Sequence, residues 1–384
     1  MRIGIDARFI TRQPRRGIGN YSLQIVSALV RLRPEFHFFL YISQPDEEGL
    51  LPVSRNVTVR RLAMPVYPLW EQLALRRAAR LDRLDILHCL GNTAPISLPK
   101  SVRLVLTLHD VMFMQSGEFV PTPTNRYQAW GRHYRRMVAP VCSRHAAFVL
   151  TVSEFSRQDI LKLIPGLDPG RVCVTYNSCD LAFQETRIAV PCDPPSSPNN
   201  RPYIFSLGAD DPRKNTLRLV EAYLGLLTTH AIDYDLVVSG YAGWEASAAH
   251  ELVKRSGAAA RVTFLGFIPM AHLVALYRGA SIFVYPSLYE GFGIPILEAF
   301  NVGCPVLASN VTAIPEVGGA AAIYFDPLSV DEISQTMLRV LSDESLRESL
   351  ARRGYARAHQ FSWDEAARQT ISIYERCMYS IEDK

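Results

Sequence analysis

The sequence has no apolar run approaching the roughly 20 residues needed to cross a bilayer, which argues against a transmembrane span. Its seven cysteines are an odd number and include no C-x-x-C pair. Reduced thiols in a cytoplasmic protein therefore fit better than a disulfide framework or a zinc site. Residues 1–6 predict a first buried strand rather than a signal peptide.

The length of the chain and its alternating apolar and amphipathic segments indicate its fold class. At 384 residues it exceeds what one hydrophobic core usually sustains, so we expect two domains. Short apolar runs alternate with longer amphipathic segments in both halves, which predicts an α/β protein with doubly wound sheets. A stretch rich in Pro, Ser and Asn at 191–200 predicts a linker.

Charge is distributed unevenly. Residues 1–180 contain 24 Lys and Arg against 14 Asp and Glu, a net +10, whereas the remainder contains 17 against 23, a net −6. The basic half suggests an anionic partner, and nucleic acid, an anionic membrane surface or a lipid pyrophosphate would each fit. Two basic helical segments, 69–83 and the one that carries Arg132, Arg135, Arg136 and Arg144, could dock on anionic lipid or be ordinary surface helices.

The stretch 285–300 combines several features of a ligand site. A predicted strand leads into a loop that carries Glu290, Gly291 and Gly293. A proline then starts a predicted helix, and Glu298 is expected in its first turn. Glycines allow close backbone approach, a helix N-terminus attracts anions, and carboxylates accept from hydroxyls, so a sugar phosphate would use every part. A tight turn with solvated or helix-capping glutamates is the alternative.

This string, with seven residues between the two glutamates, resembles the E-x7-E signature of retaining, nucleotide-sugar-dependent glycosyltransferases of family 4. The resemblance spans nearly the whole chain and is strongest over 206–326. It implies the GT-B fold, in which two Rossmann-like domains face an interdomain cleft and the last helix returns to the first domain. The expected domains are therefore an acceptor-binding 1–182 plus 362–384 and a donor-binding 183–361.

The resemblance also implies roles for the residues around the two glutamates. Glu290 would sit against the donor sugar as a catalytic residue, and Glu298 would accept hydrogen bonds from the ribose hydroxyls. Backbone groups around the glycine loop would hold the sugar and phosphate, and two residues after another strand would flank the base. This donor-binding set comprises Gly291, Phe292, Gly293, Ile294, Phe267 and Ile268.

A cation pair, Arg213 and Lys214, follows the first strand of the second half and precedes a helix. Such residues could neutralise a diphosphate or be surface charges at a helix start. The resemblance to the family's R-K-N-type element favours binding of the donor diphosphate and a catalytic role. Many members carry Arg just after the preceding glycine, where this chain has Ala209, so phosphate binding would depend more heavily on the cation pair.

The first half supplies further candidates. Gly17 and Gly19 form a glycine-rich loop that lacks the third glycine of a dinucleotide site. Such a loop is often only a turn, but in similar transferases it faces the donor phosphates. Arg12 and Arg16 are acceptor-side candidates beside it.

His109 and Asp110 end a predicted strand. A buried structural histidine is the default, but retaining relatives place a catalytic-site histidine here that contacts the transferring sugar. Asp110 would contact the acceptor or merely hold the loop.

The sequence therefore predicts a cytoplasmic hexosyltransferase of surface polysaccharide assembly. Resemblance to bacterial mannosyl- and rhamnosyltransferases favours GDP-mannose or a GDP-deoxyhexose as donor and a glycan or lipid-linked glycan as acceptor, at the inner face of the membrane. A UDP-glucose enzyme and a catalytically silent sugar-nucleotide-binding protein are the alternatives. A transferase of this kind is expected to need no nucleic-acid partner and no cofactor. No metal is expected either, since no D-x-D motif stands at a strand end.

Overall fold

The computed structural model describes residues 1–12, 17–115, 126–184, 201–209 and 211–379. These residues fold into two compact units. The first takes the described residues within Met1–Gln115, Thr122–Asn177 and Ser362–Lys384, and the second takes those within Ser178–Phe361. The first change of unit thus falls after residue 177, a few residues before the boundary expected from the sequence.

The first unit is built on a parallel sheet of seven strands in the order β3-β2-β1-β4-β5-β6-β7. Successive residues point to opposite faces, so Ile86 packs in one hydrophobic core and Leu87 in the other. Helices cover both faces, so the inner strands Ile86–Cys89 and Phe148–Thr151 are buried throughout, whereas the edge strand Val57–Arg61 is largely exposed. The strands are β1 (Arg2–Asp6), β2 (His37–Ile42), β3 (Val57–Arg61), β4 (Ile86–Cys89), β5 (Arg103–Thr107), β6 (Phe148–Thr151) and β7 (Val172–Val174).

Among the described residues, five α-helices of the first unit come before the second unit in the chain: α1 (Gly17–Leu32), α2 (Tyr67–Leu69), α3 (Arg76–Leu81), α4 (Arg126–His145) and α5 (Glu154–Leu163). The sequence predicts one helix over 69–81, but a π-helical turn, Trp70–Leu75, joins α2 to α3. At the start of α5, Ser153 is the N-cap, because its side chain accepts a hydrogen bond from the Ser156 N–H.

The second unit has a parallel sheet of six strands in the order β10-β9-β8-β11-β12-β13. The strands are β8 (Tyr203–Leu207), β9 (Asp235–Ser239), β10 (Val262–Phe264), β11 (Ile282–Tyr285), β12 (Val306–Ser309) and β13 (Ala322–Phe325). The helices are α6 (Leu181–Gln184), α7 (Thr216–His230), α8 (Ala248–Ser256), α9 (Met270–Gly279), α10 (Ile294–Asn301), α11 (Ile314–Gly318), α12 (Val330–Leu341) and α13 (Glu344–Ala358).

The last helix, α14 (Trp363–Tyr379), belongs to the first unit. Its Ile371 and Tyr374 are buried in the same core as Ile25 of α1. The Tyr374 hydroxyl lies 2.6 Å from His88 Nδ1, which anchors α14 to β4. No helix in the described ranges is long and apolar enough to cross a membrane.

Candidate active site

The second sheet has a topological switch point between β8 and β11, which pair side by side but continue to opposite sides of the sheet. In open α/β sheets, ligands bind beyond the carboxyl ends of the strands at such a point. The turn with Arg213 and Lys214 follows β8, and the loop with Glu290 follows β11. The topology thus brings the predicted cations and the first predicted carboxylate to one edge.

Glu290 accepts from both cations. Arg213 Nη1 lies 3.1 Å from Glu290 Oε2, and Lys214 Nζ lies 2.8 Å from Oε1. All three side chains are at least four-fifths buried, so solvent screens these contacts weakly. Burial alone would raise the pKa of Glu290, but the Lys214 and Arg213 charges outweigh it and lower that pKa to about 2. Glu290 is therefore ionised at neutral pH and neutralised by two fixed cations.

The cation turn is a 3₁₀ helix, Pro212–Lys214, capped by Asp211, whose carboxylate accepts from the Arg213 N–H at 3.0 Å. Asn215 ends the turn in the left-handed region, with φ 57°. Its side-chain amide donates to the Pro286 carbonyl at 3.1 Å and to the Pro327 carbonyl at 2.7 Å. Asn215 thereby ties the cation turn to the loop that follows β11.

Two more hydrogen bonds fix the Glu290 loop. The Leu288 N–H donates to the Arg213 carbonyl at 2.8 Å. The Glu290 N–H donates to Thr312 Oγ1 at 3.2 Å. Gly293 follows at φ 115°, a backbone conformation that favours glycine, and α10 begins directly after it. The loop therefore has one defined path from Tyr285 to the helix.

Glu298 is the fifth residue of α10, so the prediction that it lies in the first turn is wrong. The helix begins at Ile294, with Pro295 in its first positions, and that leaves Glu298 in the second turn. Its Oε2 accepts from the Tyr277 hydroxyl at 2.9 Å. Burial, with the nearby Asp180 carboxylate adding to it, raises the pKa of Glu298 to about 7.

His109 follows β5 in the first unit. Its Nε2 lies 2.9 Å from the Leu90 carbonyl, which can only accept, so Nε2 carries the proton and Nδ1 is the acceptor. Burial lowers the pKa of His109 to about 4, which makes the ring neutral at pH 7. The Tyr21 ring meets it edge-on at 4.6 Å. Its backbone N–H donates to Asn92 Oδ1 at 2.8 Å, so both ring and backbone are held in place.

The remaining predicted residues of the first unit differ in their settings. Asp110 Oδ1 accepts from the Met112 N–H at 3.0 Å and so helps to hold its own loop. Gly17 and Gly19 lie within α1, in a segment that the sequence predicts to open a helix. Arg12 is exposed. Arg16 lies outside the described residues.

The predicted base-flanking residues follow β10. Phe267 is 59% exposed, an unusual state for so large an apolar ring at the carboxyl edge of a sheet, and Ile268 beside it is partly exposed. Within the loop after β11, Phe292 is buried, whereas Gly291 and Ile294 are partly exposed.

Sequence reasoning missed two tyrosines of the site. Tyr277 is buried in the core, and its hydroxyl also donates to Glu298. Tyr285 Oη lies 3.4 Å from Lys214 Nζ. Both sit in apolar segments where an aromatic residue normally indicates packing, so the sequence carries no separate signal for their hydroxyls. Among the residues described, no group of three or more His, Cys, Asp or Glu side chains could hold a metal.

Comparisons with known proteins bear directly on this arrangement. Residues 15–183 match the model of "Glycosyltransferase Family 4", and residues 193–357 match that of "Glycosyl transferases group 1". Over 379 residues the chain is 35% identical to the O-antigen chain mannosyltransferase B of Escherichia coli, covering 95% of this chain and 97% of that protein. The chain belongs to glycosyltransferase family 4.

Two further comparisons agree with this family. It is 25% identical over 300 residues to the O-antigen chain mannosyltransferase RfbU of Salmonella typhimurium, covering 78% of this chain and 75% of that one. The sucrose-phosphate synthase of Thermosynechococcus elongatus superposes with a TM-score of 0.75 at 19% identity, covering 99% and 100% of the two chains. The fold is GT-B, with two Rossmann-like domains, as the sequence predicts.

Proposed function

We propose that this glycosyltransferase moves mannose or a related deoxyhexose from a GDP-sugar to a glycan or lipid-linked glycan in surface polysaccharide assembly. The observation that carries the proposal is the Glu290–Arg213–Lys214 cluster at the switch point of the second sheet. Two cations held beside a carboxylate suit a diphosphate joined to a hydroxyl-rich sugar. The relatives that are O-antigen mannosyltransferases support the choice of hexose and product.

In the proposed reaction, Arg213 and Lys214 stabilise the negative charge that develops on the leaving diphosphate, where fixed charges lower the barrier most. The bond from the anomeric carbon to the phosphate oxygen breaks while the acceptor oxygen bonds to the same face. The leaving phosphate oxygen takes the acceptor proton, and the anomeric configuration is retained. Because the two cations supply the positive charge, the reaction needs no metal ion or other cofactor.

Other residues bind and orient the substrates in this proposal. Glu290 accepts from hydroxyls of the transferring sugar, and Glu298 accepts from the ribose hydroxyls. Phe267 and Ile268 flank the base, and the backbone of Gly291–Gly293 holds the sugar. In the first domain, Gly17 and Gly19 face the phosphates. His109 presents a neutral ring whose Nδ1 can accept from the sugar.

We also propose that the first domain rests on an anionic membrane, with the enzyme acting at the cytoplasmic face. Helix α3 carries three exposed arginines and a fourth follows it, while large apolar side chains are exposed in the segment before α3 and at its last residue. Exposed basic and apolar groups in one helical segment suit the head groups and acyl boundary of anionic lipid. The groups are Val66, Leu69, Leu73 and Leu81 together with Arg76, Arg77, Arg80 and Arg83.

A binding panel tests the donor assignment. Ligands that bind the folded protein raise its melting temperature, so GDP-, UDP- and ADP-sugars can be compared in one thermal-shift experiment. The expected result is the largest shift with GDP-mannose or a GDP-deoxyhexose. A larger shift with UDP-glucose would contradict the GDP assignment, and no shift with any sugar nucleotide would contradict the proposed function.

A further inference from the structure

The second unit begins at Ser178 and ends at Phe361, and these two residues are bonded to each other. Ser178 Oγ donates to the Phe361 carbonyl at 3.1 Å, and both residues are buried. Gln184 Nε2 in turn donates to Ser178 Oγ at 3.1 Å. The segment with which the chain enters the second unit is therefore hydrogen-bonded to the segment with which it leaves that unit.

Phe361 packs directly against the loop of Glu290. Its ring meets the Phe292 ring edge-on, with centroids 5.8 Å apart and an angle of 77° between the planes. Phe292 stands between two glycines, which have no side chains to pack, and it is 4% exposed. The Arg357 guanidinium lies over the Phe361 ring, 4.9 Å from its centroid. The Phe292–Phe361 contact is thus positioned to fix the loop from Glu290 to Gly293.

The segment Ser178–Gln184 packs in the same way behind Glu298. The Phe183 ring meets the Tyr277 ring edge-on at 5.6 Å, and the Tyr277 hydroxyl donates to Glu298. Cys179 Sγ accepts from Asn301 Nδ2, at the end of α10, at 3.1 Å. One aromatic ring from each chain crossing therefore packs close to a carboxylate: Phe361 meets Phe292, two residues after Glu290, and Phe183 meets Tyr277, which donates to Glu298.

We propose that Phe361 and Phe183 are positioning residues for donor recognition. Phe361 acts through Phe292 on Glu290, and Phe183 acts through Tyr277 on Glu298. This inference rests on the proposed function, since it takes Glu290 to bind the transferring sugar and Glu298 to bind the ribose. Fixing a carboxylate before the ligand arrives strengthens binding because less ordering remains to be done on association.

The two roles predict different binding defects. Ribose is common to GDP and GDP-mannose, whereas the hexose is present only in GDP-mannose. Phe361→Ala should therefore raise the ratio of the GDP-mannose dissociation constant to the GDP dissociation constant about tenfold, since only GDP-mannose carries the hexose that Glu290 would bind. Phe183→Ala should weaken both ligands by a similar factor. If Phe361 and Phe183 only stabilised the fold, the ratio of the two dissociation constants would respond in the same way in both variants. A ratio that changes in Phe361→Ala but not in Phe183→Ala therefore distinguishes positioning from stability.

Isothermal titration of GDP and GDP-mannose into the full chain measures both constants. Phe361→Leu, which keeps apolar volume, should lie between wild type and Phe361→Ala, and Phe183→Leu serves if Phe183→Ala fails to fold. Tyr355→Ala is the matched control, because Tyr355 is an exposed aromatic residue on the helix that precedes Phe361. If wild type prefers a UDP-sugar, UDP and that sugar replace the GDP pair.

An unchanged ratio in both Phe361 variants, with wild type binding normally, would overturn the inference and leave the proposed function standing. So would a Phe183 variant with wild-type affinity for both ligands. Failure of wild type to bind GDP, UDP, ADP or their sugars would contradict the proposed function, and the inference with it.

Discussion

At the scale of single residues, both cations of the site are already paired with a carboxylate of the protein. Glu290 lies 3.1 Å from Arg213 and 2.8 Å from Lys214. In the proposed function an arriving diphosphate would need the same two cations, so it would have to share them with Glu290 or displace it. The carboxylate would then have two effects of opposite sign, since it would bind the sugar and compete with the phosphates.

This competition predicts that Glu290→Gln binds GDP several-fold more tightly than wild type, because the cations are released while size and shape are kept. Transfer should nevertheless fall by orders of magnitude, since the sugar loses its carboxylate. Calorimetry of GDP binding tests the first effect, with Glu251→Gln as a control for charge at an exposed site on α8. Weaker GDP binding by Glu290→Gln would show that the carboxylate does not compete.

Glu298 predicts a dependence of stability on pH. Its pKa in the folded protein is raised to about 7, from 4.5, so folding favours its protonated form. The associated stability is full below pH 4.5 and is lost as pH rises through 7. Relative to Glu298→Gln, which cannot ionise, wild type should lose about 2–3 kcal/mol of unfolding free energy between pH 5 and pH 8. Urea unfolding of both proteins measures this gap, and a gap independent of pH would contradict the shift.

At the scale of elements, the sequence predicts the positions of the strands and site residues more accurately than the local backbone conformation. Apolar runs locate the strands to within a residue or two because buried parallel strands have few alternatives. The spacing of Glu290 and Glu298 and the Arg213–Lys214 pair are also visible in the sequence. The π-helical turn at Trp70–Leu75 is not, since its pattern differs little from that of an α-helix.

The support of the site depends on tertiary contacts that no local pattern reveals. Asn215 is an example, because its φ of 57° and its hydrogen bonds to the Pro286 and Pro327 carbonyls depend on loops far away in the chain. The same holds for the hydroxyls of Tyr277 and Tyr285, since only the folded chain brings Glu298 and Lys214 to them.

Asn215→Ala should accordingly lower the unfolding free energy by about 2–3 kcal/mol, because two buried carbonyls lose their donor and alanine disfavours positive φ. Asn215→Gly should show a smaller loss, since glycine adopts that conformation without strain. Ser153→Ala, which removes only the α5 N-cap, should cost about 1 kcal/mol and provides the reference. Chemical denaturation measures all three, and equal stability of Asn215→Ala and wild type would refute this role.

At the scale of the whole molecule, the uneven charge becomes a property of the domains. The net +10 of residues 1–180 belongs almost entirely to the domain that carries the exposed apolar groups before α3. Leu69 and Leu73 lie one turn apart and are 44% and 52% exposed. Electrostatic attraction would bring this domain to anionic lipid, and the leucines would enter the boundary of the acyl chains.

Sedimentation with lipid vesicles tests this surface. Wild type should bind vesicles that contain phosphatidylglycerol, bind phosphatidylcholine vesicles weakly, and lose binding as salt is raised. Leu69→Ser/Leu73→Ser should reduce binding about tenfold. The matched control is Leu217→Ser/Leu328→Ser, which changes two exposed leucines of the second domain. Equal binding by both double variants, or binding indifferent to lipid charge, would exclude this face as the membrane contact.

Sugar transfer that depends on Arg213 and Lys214 at the switch point is the central expectation for this enzyme. The most direct measurement is transfer of labelled mannose from GDP-mannose to a lipid-linked oligosaccharide in excess EDTA, with the product's anomeric configuration read by NMR. We expect transfer with retained configuration by wild type and a loss of at least about a hundredfold in Lys214→Ala. Full activity of Lys214→Ala, an inverted product, or activity that EDTA abolishes and Mn²⁺ restores would contradict the account.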